Sequence, residues 1–173
     1  MTQHERSLSA TVDGFVDAFN VNDLDRVMAC FADDAEYEPG DGAKHRGKAA
    51  IRAEFAPQFA GRYGAMRFDV HDKLVDEPGR RAAIRWACRI DVSGRHGRGV
   101  FPLLRLLGLL RYGPRMVWQG MDVFHFDAEG LITGKYSYAN FKIPPMKRDR
   151  GAPWSTPSRD SVAGEAEQAL KRP

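Results

Sequence analysis

The hydrophobic period of this sequence changes near residue 65, and that change constrains the fold more than any other feature. Before residue 65, apolar side chains recur at the three- and four-residue spacing of amphipathic helices. Three helices are predicted, with Asn22 or Asp23 placed to cap the second and Gly47 preceding the third. The inward positions are Leu8, Val12, Phe15, Val16 and Phe19, then Leu24, Val27, Met28 and Phe31, then Ile51, Phe55 and Phe59.

After residue 65, apolar and polar side chains alternate with the period of β-strands. The segments MRFDVHDKLV, AAIRWACRIDV, RMVWQGMDVFHFD and LITGKYSYANF predict four strands, of which the last two are joined by the turn DAEG. The stretch ADDAEYEPGDG is expected to be a loop, because its proline and glycines prevent the second helix from continuing. Helices followed by an antiparallel meander predict an α+β fold, not the parallel sheet of alternating βαβ units.

The composition is that of one globular domain. The chain has 173 residues, of which 43% are hydrophobic and 28% are charged, and these are ordinary values for a folded protein. The net charge of +3 is not concentrated in a basic run, so no nucleic-acid partner is expected. Cys30 and Cys88 lie far apart in apolar segments and are expected to be buried free thiols. Together with an N-terminal segment that does not resemble a secretion signal, they favour a cytoplasmic location.

Two segments are not expected to belong to the compact folded core of the domain. The segment GVFPLLRLLGLLRYGPR, residues 99–115, predicts an apolar helical insertion between strands that is too short to span a membrane. A lid over a pocket, a peripheral contact with an anionic membrane and a dimer contact are all compatible with its leucines. Residues 144–173 form a tail rich in proline and arginine, so the folded domain is expected to cover residues 1–143.

Two blocks of the sequence resemble the nuclear-transport-factor-2-like superfamily, which includes ketosteroid isomerases, SnoaL-like polyketide cyclases and limonene epoxide hydrolases. The first block is VDGFVDAFNVNDLDRVMACFADDAEYEPG followed by RGKAAIRAEF, and the second is WQGMDVFHFDAEGLI. The resemblance implies a strongly curved, mixed or antiparallel sheet that wraps the three helices into a cone. It also implies one apolar pocket inside the cone and a homodimer formed through the sheet.

Asp122 is the strongest candidate for a catalytic residue, because strand parity places it among aromatic rings. Trp118, Phe124 and Phe126 share its face of the strand. A carboxyl group surrounded by those rings is desolvated, which favours its neutral form, and a neutral acid can donate a hydrogen bond. The resemblance assigns this position to the acid that donates to the substrate oxyanion in ketosteroid isomerases. The alternative for Asp122 is a structural acid bonded to the backbone or to a buried arginine.

The same resemblance implies a general base and a second oxyanion donor. Glu38, in EYEPG, resembles the base position if one residue is deleted. A solvated loop position is the alternative for Glu38. The tyrosine that supplies the second donor falls on Phe15, which has no hydroxyl group, so Tyr37, Tyr136 or Tyr138 would have to replace it.

A second set of residues resembles the limonene epoxide hydrolases. Arg89 and Asp91 are two residues apart on one strand and point to the same side, as the arginine and base aspartate of that family would. Tyr37 matches a family tyrosine, whereas the second aspartate falls on Ser137 and the asparagine falls on Pro39. The alternative for Arg89 and Asp91 is an ion pair on the sheet surface or at a dimer interface.

The leading hypothesis is a cofactor-independent acid–base enzyme that isomerises, cyclises, dehydrates or opens the epoxide of a lipophilic cyclic small molecule. Asp122 would be the acid, and Glu38 or Asp91 the base. A non-catalytic domain that binds a small molecule or a protein partner is the alternative, which Phe15 and Ser137 favour. No metal is expected, because the histidines lack ligand spacing. The predicted substrate-binding residues are Phe15, Phe19, Phe55, Trp118, Phe124, Ser137 and Tyr138.

Overall fold

The computed structural model describes residues 7–93, 109–139 and 147–148. Helices and strands follow each other in the order α1, α2, β1, β2, α3 and then β3 to β7. The helices are α1 (Leu8–Asn20), α2 (Leu24–Ala29) and α3 (Lys48–Phe59). The strands are β1 (Phe31–Glu38), β2 (His45–Arg46), β3 (Ala65–Asp76), β4 (Arg81–Asp91), β5 (Arg115–Phe126), β6 (Ile132–Ala139) and β7 (Lys147–Arg148).

The strands form one mixed sheet in the order β2-β1-β6-β5-β4-β3, and β7 pairs with the beginning of β5. The pair β1–β6 is parallel, and the other pairs are antiparallel. The helices pack against one face of this sheet, so the predicted α+β fold is confirmed. The hairpin of β3 and β4 lies at the end of the sheet farthest from β2.

The three predicted helices are present, and local sequence explains where they begin. The carboxylate of Asp23 accepts a hydrogen bond from the Arg26 backbone N–H and so caps α2. Gly47 precedes α3 with a φ of 81°, a conformation that side chains disfavour. The buried face of α1 carries Phe15, whose ring centroid lies 5.5 Å from that of Phe124 on the sheet. This contact joins the helical layer to the sheet.

The loop prediction is wrong for most of the stretch after α2, because residues 32–38 belong to β1. The pairing of β1 with β6 shifts register between Phe31 and Glu36. Such a bulge interrupts the alternation of buried and exposed side chains, and that alternation is the sequence signal of a strand. Phe31, which was predicted on the second helix, therefore reaches the core from β1, where it is fully buried.

The predicted insertion and tail lie largely outside the described residues, which exclude residues 94–108, 140–146 and 149–173. Residues 109–112 form one helical turn, in which Leu110 is 71% exposed, and Arg115 already belongs to β5. Whether the insertion serves as a lid, a membrane contact or a dimer contact remains a prediction. Among the described helices, none is long and apolar enough to cross a membrane. Cys30 and Cys88 are buried free thiols, as predicted.

Candidate functional site

An apolar pocket of about 300 Å³ lies between the inner face of the sheet and helices α1 and α3. This volume is at the lower end of the range for small-molecule sites. Phenylalanine and tryptophan side chains line it from both layers: Phe15, Phe19, Phe55, Phe68, Trp86 and Trp118. The polar side chains in the lining include Tyr37, Glu54, Gln58, Asp122, Lys135 and Ser137.

Asp122 and Lys135 form an ion pair in the wall of this pocket. Lys135 Nζ lies 2.9 Å from Asp122 Oδ2, and their side chains are only 6% and 5% exposed. The Ser137 hydroxyl donates to Asp122 Oδ1 at 2.7 Å and accepts a hydrogen bond from Lys135 Nζ at 2.8 Å. The three side chains therefore make a closed set of hydrogen bonds, in which Asp122 and Lys135 are almost fully withdrawn from water.

Strand pairing creates this set. Asp122 of β5 lies directly opposite Ser137 of β6, and Lys135 precedes Ser137 by two residues on the same face. The Lys135 ammonium also lies near three rings, with its nitrogen 4.9 Å from the ring centroid of Tyr37 and 5.8 Å from those of Phe15 and Phe124. Ring faces stabilise a cation at these distances. The charge of Lys135 is thus balanced by one carboxylate and surrounded by aromatic faces.

The environment of Asp122 is more polar than the sequence indicated. Phe124 shares its face and Trp118 lines the same pocket, as predicted, but the acid is not unpaired. An ammonium group at hydrogen-bond distance favours the charged form of a carboxyl. Both carboxylate oxygens accept hydrogen bonds, one from Lys135 and one from Ser137. Asp122 therefore has two close hydrogen-bond partners, Lys135 and Ser137, that the sequence did not reveal, and its role as a neutral donor remains a prediction.

Tyr37 supplies a neutral hydroxyl group beside this set. Its side chain is buried, and burial is the main reason that its pKa lies well above the ordinary tyrosine value. The negative charge of Asp122 raises the pKa further, whereas a hydrogen bond with the Ser137 hydroxyl lowers it. Because the Tyr37 hydroxyl keeps its proton near neutral pH, it remains a hydrogen-bond donor.

Two tryptophans form a second wall, which depends on a glycine. Trp86 of β4 lies opposite Gly120 of β5, and its ring crosses the glycine so closely that an added Cβ would lie 2.5 Å from Cη2. The ring centroid of Trp118 lies 6.1 Å from that of Trp86. The Trp86 indole nitrogen is buried and has no hydrogen-bond partner within the described part of the chain. Residue 120 must lack a side chain for Trp86 to occupy this position.

Glu54 of α3 lines another part of the pocket. Its side chain is 42% exposed, and His45 Nε2 lies 3.5 Å from Glu54 Oε2. The His45 ring also stacks on Tyr37, with centroids 6.1 Å apart. The charge of Glu54 acts on Tyr37 and contributes to its raised pKa. Tyr37 is thus influenced by both carboxylates of the pocket, Asp122 and Glu54.

Most of the predicted site residues come together in this pocket. Phe124 lies behind the lining, in the core, and contacts Phe15. The predicted site residues that line the pocket are Phe15, Phe19, Tyr37, Phe55, Trp118, Asp122 and Ser137. Their catalytic and binding roles remain predictions.

Four predicted residues lie outside the pocket, because strand parity turns them away from it. Glu38 follows the inward Tyr37 on β1 and pairs with Lys44 on the surface. Arg89 pairs with Asp69, not with Asp91 as a catalytic dyad would, at 2.6 Å on the outer face of the sheet.

Asp91 and Tyr138 are the other two predicted residues that lie outside the pocket. Asp91 accepts hydrogen bonds from Ser93. Tyr138 is 59% exposed and follows Ser137 on the opposite face of β6. Glu38, Asp91 and Tyr138 are therefore absent from the described lining of this pocket, and their catalytic and binding roles remain predictions.

Sequence reasoning missed Lys135, Glu54 and Trp86 as lining residues. Lys135 lies two residues before Ser137, so strand parity was the available signal. Glu54 directly precedes the buried Phe55 on α3, and helical periodicity gives no direct indication that it borders a pocket. Among the described residues, no three His, Cys, Asp or Glu side chains are grouped closely enough to bind a metal ion.

Solved structures with the same fold have diverse functions. The epoxide hydrolase/cyclase-like enzyme SalBIII, of pyran ring formation in the polyether salinomycin, matches with 19% identity and a TM-score of 0.62, over 81% of this chain and 95% of SalBIII. A Mycobacterium tuberculosis protein in complex with estradiol-17β-hemisuccinate matches with 17% identity and a TM-score of 0.60, over 79% and 96% of the two chains. A computationally designed 17-OHP binder matches with 15% identity and a TM-score of 0.60, over 82% and 97%.

These identities establish a shared fold and no shared activity. The curated proteins contain no match to the sequence. The family model of the SnoaL-like domain matches residues 12–135, which cover all the described pocket residues except Ser137 and Ala139. The match confirms the superfamily resemblance seen in the two sequence blocks. The chain belongs to the SnoaL-like domain family of the nuclear-transport-factor-2-like superfamily.

Proposed function

We propose that the pocket is the active site of a cofactor-independent acid–base enzyme acting on a neutral, lipophilic, cyclic small molecule. Isomerisation, cyclisation, dehydration and epoxide opening all fit this class. The observation that supports it is the ion pair of Asp122 and Lys135, with Ser137, in the wall of an apolar pocket. Replacing a buried ion pair by apolar side chains is often neutral or stabilising, so stability alone does not explain this one.

Lys135 is the central group in this proposal. In each of these reactions negative charge develops on, or is relieved from, an oxygen atom of the substrate. An ammonium group in a site that excludes water stabilises such charge strongly. Tyr37, whose hydroxyl remains protonated, is a second donor beside it. Lys135 and Tyr37 together replace the hydroxyl group that Phe15 lacks.

The charge balance of the pocket favours a neutral ligand. The Asp122 carboxylate already compensates the Lys135 ammonium, and Glu54 adds a further negative charge. A lipid carboxylate would therefore find no uncompensated cation among the described lining residues. The aromatic walls favour a flat or cyclic apolar body. The steroid names of two structural neighbours belong to those proteins, but they support the same ligand class.

The test compares Asp122→Asn, Ser137→Ala and Tyr37→Phe with the wild-type protein on a panel of cyclic β,γ-unsaturated ketones and cyclic epoxides. Products are identified by mass spectrometry. Removing one donor to a developing oxyanion typically lowers the rate about 10²- to 10³-fold, so Tyr37→Phe is expected to fall in that range or just below it. Arg89→Met, on the outer face, is the matched control and should keep full turnover. Equal turnover in all variants would refute the proposal.

The second candidate function is binding without turnover. Phe15 lacks the expected hydroxyl, and both oxygens of Asp122 are engaged by Lys135 and Ser137, which favours a binding role. In this case the wild-type protein turns over no member of the panel, whereas Tyr37→Phe changes the affinity for a ligand that co-purifies. Native mass spectrometry of the purified protein detects such a ligand directly.

We also propose a homodimer formed through the outer face of the sheet. Met121 and Tyr138 lie directly opposite each other on β5 and β6, and they are 41% and 59% exposed. Such neighbouring exposed apolar side chains favour an interface. Light scattering should return twice the chain mass of 19.4 kDa, and Met121→Glu should reduce it to one chain. A wild-type mass of about 19.4 kDa would refute the dimer.

A further inference from the structure

The pocket contains two carboxylates among its described lining residues, and their surroundings are opposite. Asp122 is 4% exposed, and each of its oxygens accepts a hydrogen bond. Glu54 is half-exposed, and within the described residues its carboxylate accepts no hydrogen bond. At 3.5 Å and without a hydrogen bond, the neighbouring His45 does not occupy its lone pairs. Glu54 is therefore the carboxylate whose oxygens are available to take a proton.

The two carboxylates lie where they can act on different parts of one bound ligand. Both line the same pocket as Tyr37, and the negative charge of each raises the pKa of that tyrosine. The Lys135 ammonium lies beside Asp122, and its nitrogen is 4.9 Å from the ring centroid of Tyr37. A ligand that fills the pocket can thus present a hydrogen to Glu54 and an oxygen to Lys135.

We propose that Glu54, which lines the pocket where Glu38 does not, is its general base, a role that rests on the proposed function. Glu54 takes a proton from a carbon of the bound molecule. The C–H electron pair moves into the adjacent bond, and an oxygen at the end of the conjugated system receives the charge beside Lys135. Glu54 then returns the proton to another carbon of the same molecule, and the negative charge on the oxygen is discharged as the carbonyl bond re-forms. The substrate class is a neutral lipophile with an acidic C–H conjugated to an oxygen.

The probe is 5-nitrobenzisoxazole, a flat neutral molecule that reports proton abstraction without knowledge of the natural substrate. A carboxylate takes the proton from its C3, and the C–H electron pair completes a nitrile. The N–O bond breaks, and its electrons leave on oxygen as a coloured phenolate. No oxidant, reductant or cofactor is consumed. Glu54 and Lys135 would act on the two ends of this reaction.

The decisive comparison is Glu54→Gln against Glu38→Gln. Both substitutions remove one partly exposed carboxylate, but only Glu54 lines the pocket. Glu54→Gln is expected to lower kcat/KM by about 10²-fold, the lower end of what a positioned general base contributes. Glu38→Gln should behave as the wild type, and Glu54→Asp, with a shorter arm, should fall between them. Circular dichroism confirms that each variant is folded.

The other outcomes separate this inference from the proposed function. If Glu54→Gln keeps the wild-type rate while Asp122→Asn loses it, the base is not Glu54, but the active site stands. If Glu54→Gln and Glu38→Gln lose the rate equally, the effect is one of bulk charge, and the inference fails. If the wild-type protein does not exceed the buffer rate, both the inference and the proposed enzyme function are overturned.

Discussion

The variant Lys135→Met breaks the buried ion pair and should destabilise the fold strongly. Methionine keeps an unbranched stem of similar volume, so the main change is the loss of the ammonium group. Asp122 then remains as a carboxylate whose side chain is 5% exposed and whose donor is the Ser137 hydroxyl alone. Breaking a buried pair by removing one partner typically costs about 3–5 kcal/mol. For a chain of this length, that lowers the melting temperature by roughly 6–20 °C.

Urea unfolding followed by far-ultraviolet circular dichroism at pH 7 measures this loss. Lys44→Met is the matched control, because the Lys44–Glu38 pair is on the surface, with side chains 58% and 32% exposed. Exposed pairs contribute below about 1 kcal/mol, so the control should stay close to the wild type. The double variant Lys135→Met with Asp122→Leu should recover most of the loss, since no uncompensated charge remains.

The reasoning fails if Lys135→Met costs no more than Lys44→Met, because the pair would then be solvated and not buried. It also fails if the double variant loses the sum of the two single losses. Such additivity would mean that the two side chains do not interact. A changed denaturant slope would indicate a different unfolded or native state, and only an unchanged slope allows the stability comparison.

Two further predictions concern residues of the neighbouring strands β4 and β5. Gly120→Ala places a Cβ 2.5 Å from the Trp86 ring and 2.9 Å from the Tyr138 carbonyl oxygen. We therefore expect the free energy of unfolding to fall by about 1–3 kcal/mol and the tryptophan fluorescence to shift. Unchanged values in both measurements would exclude the close contact. Burial raises the pKa of the Cys88 thiol from 9.0 to about 12. Its contribution to stability is therefore complete below pH 9 and is lost as the pH rises toward 12. The stability difference between wild type and Cys88→Ala should shrink by about 1 kcal/mol from pH 8 to pH 10, and a constant difference would argue against the burial effect.

The sequence predicted those elements whose hydrophobic pattern is uninterrupted. The helices α1 and α3 and the strands β3 to β6 follow from period and caps, because each buries a regular set of side chains. The strand β1 has four acids in eight residues and a bulge, so neither its composition nor its alternation indicated a strand. Its partner β6 runs parallel to it, and a parallel pair between strands so distant in sequence leaves no local signal.

The ion pair was missed for a related reason. The hairpin of β5 and β6 shifts its register between His125 and Phe126. A shift of one residue decides which side chains of β6 face Asp122, and the sequence of a turn such as DAEG does not specify that shift. Without the register, Lys135 could equally have faced solvent, which is where a lysine is usually found.

Strand parity would nevertheless have divided the list of candidates. Adjacent residues on a strand point to opposite faces, so Tyr37 and Glu38 cannot both reach one pocket, nor can Ser137 and Tyr138. To choose within each pair, one residue of the strand must be anchored by an apolar pattern. Phe124 and Phe126 anchor β5 in this way and correctly place Asp122. The inward face of β6 carries the polar residues Lys135 and Ser137 at positions where a buried strand usually has apolar ones. The residues that form the polar site therefore also interrupt the apolar pattern that would have shown which face of β6 points inward.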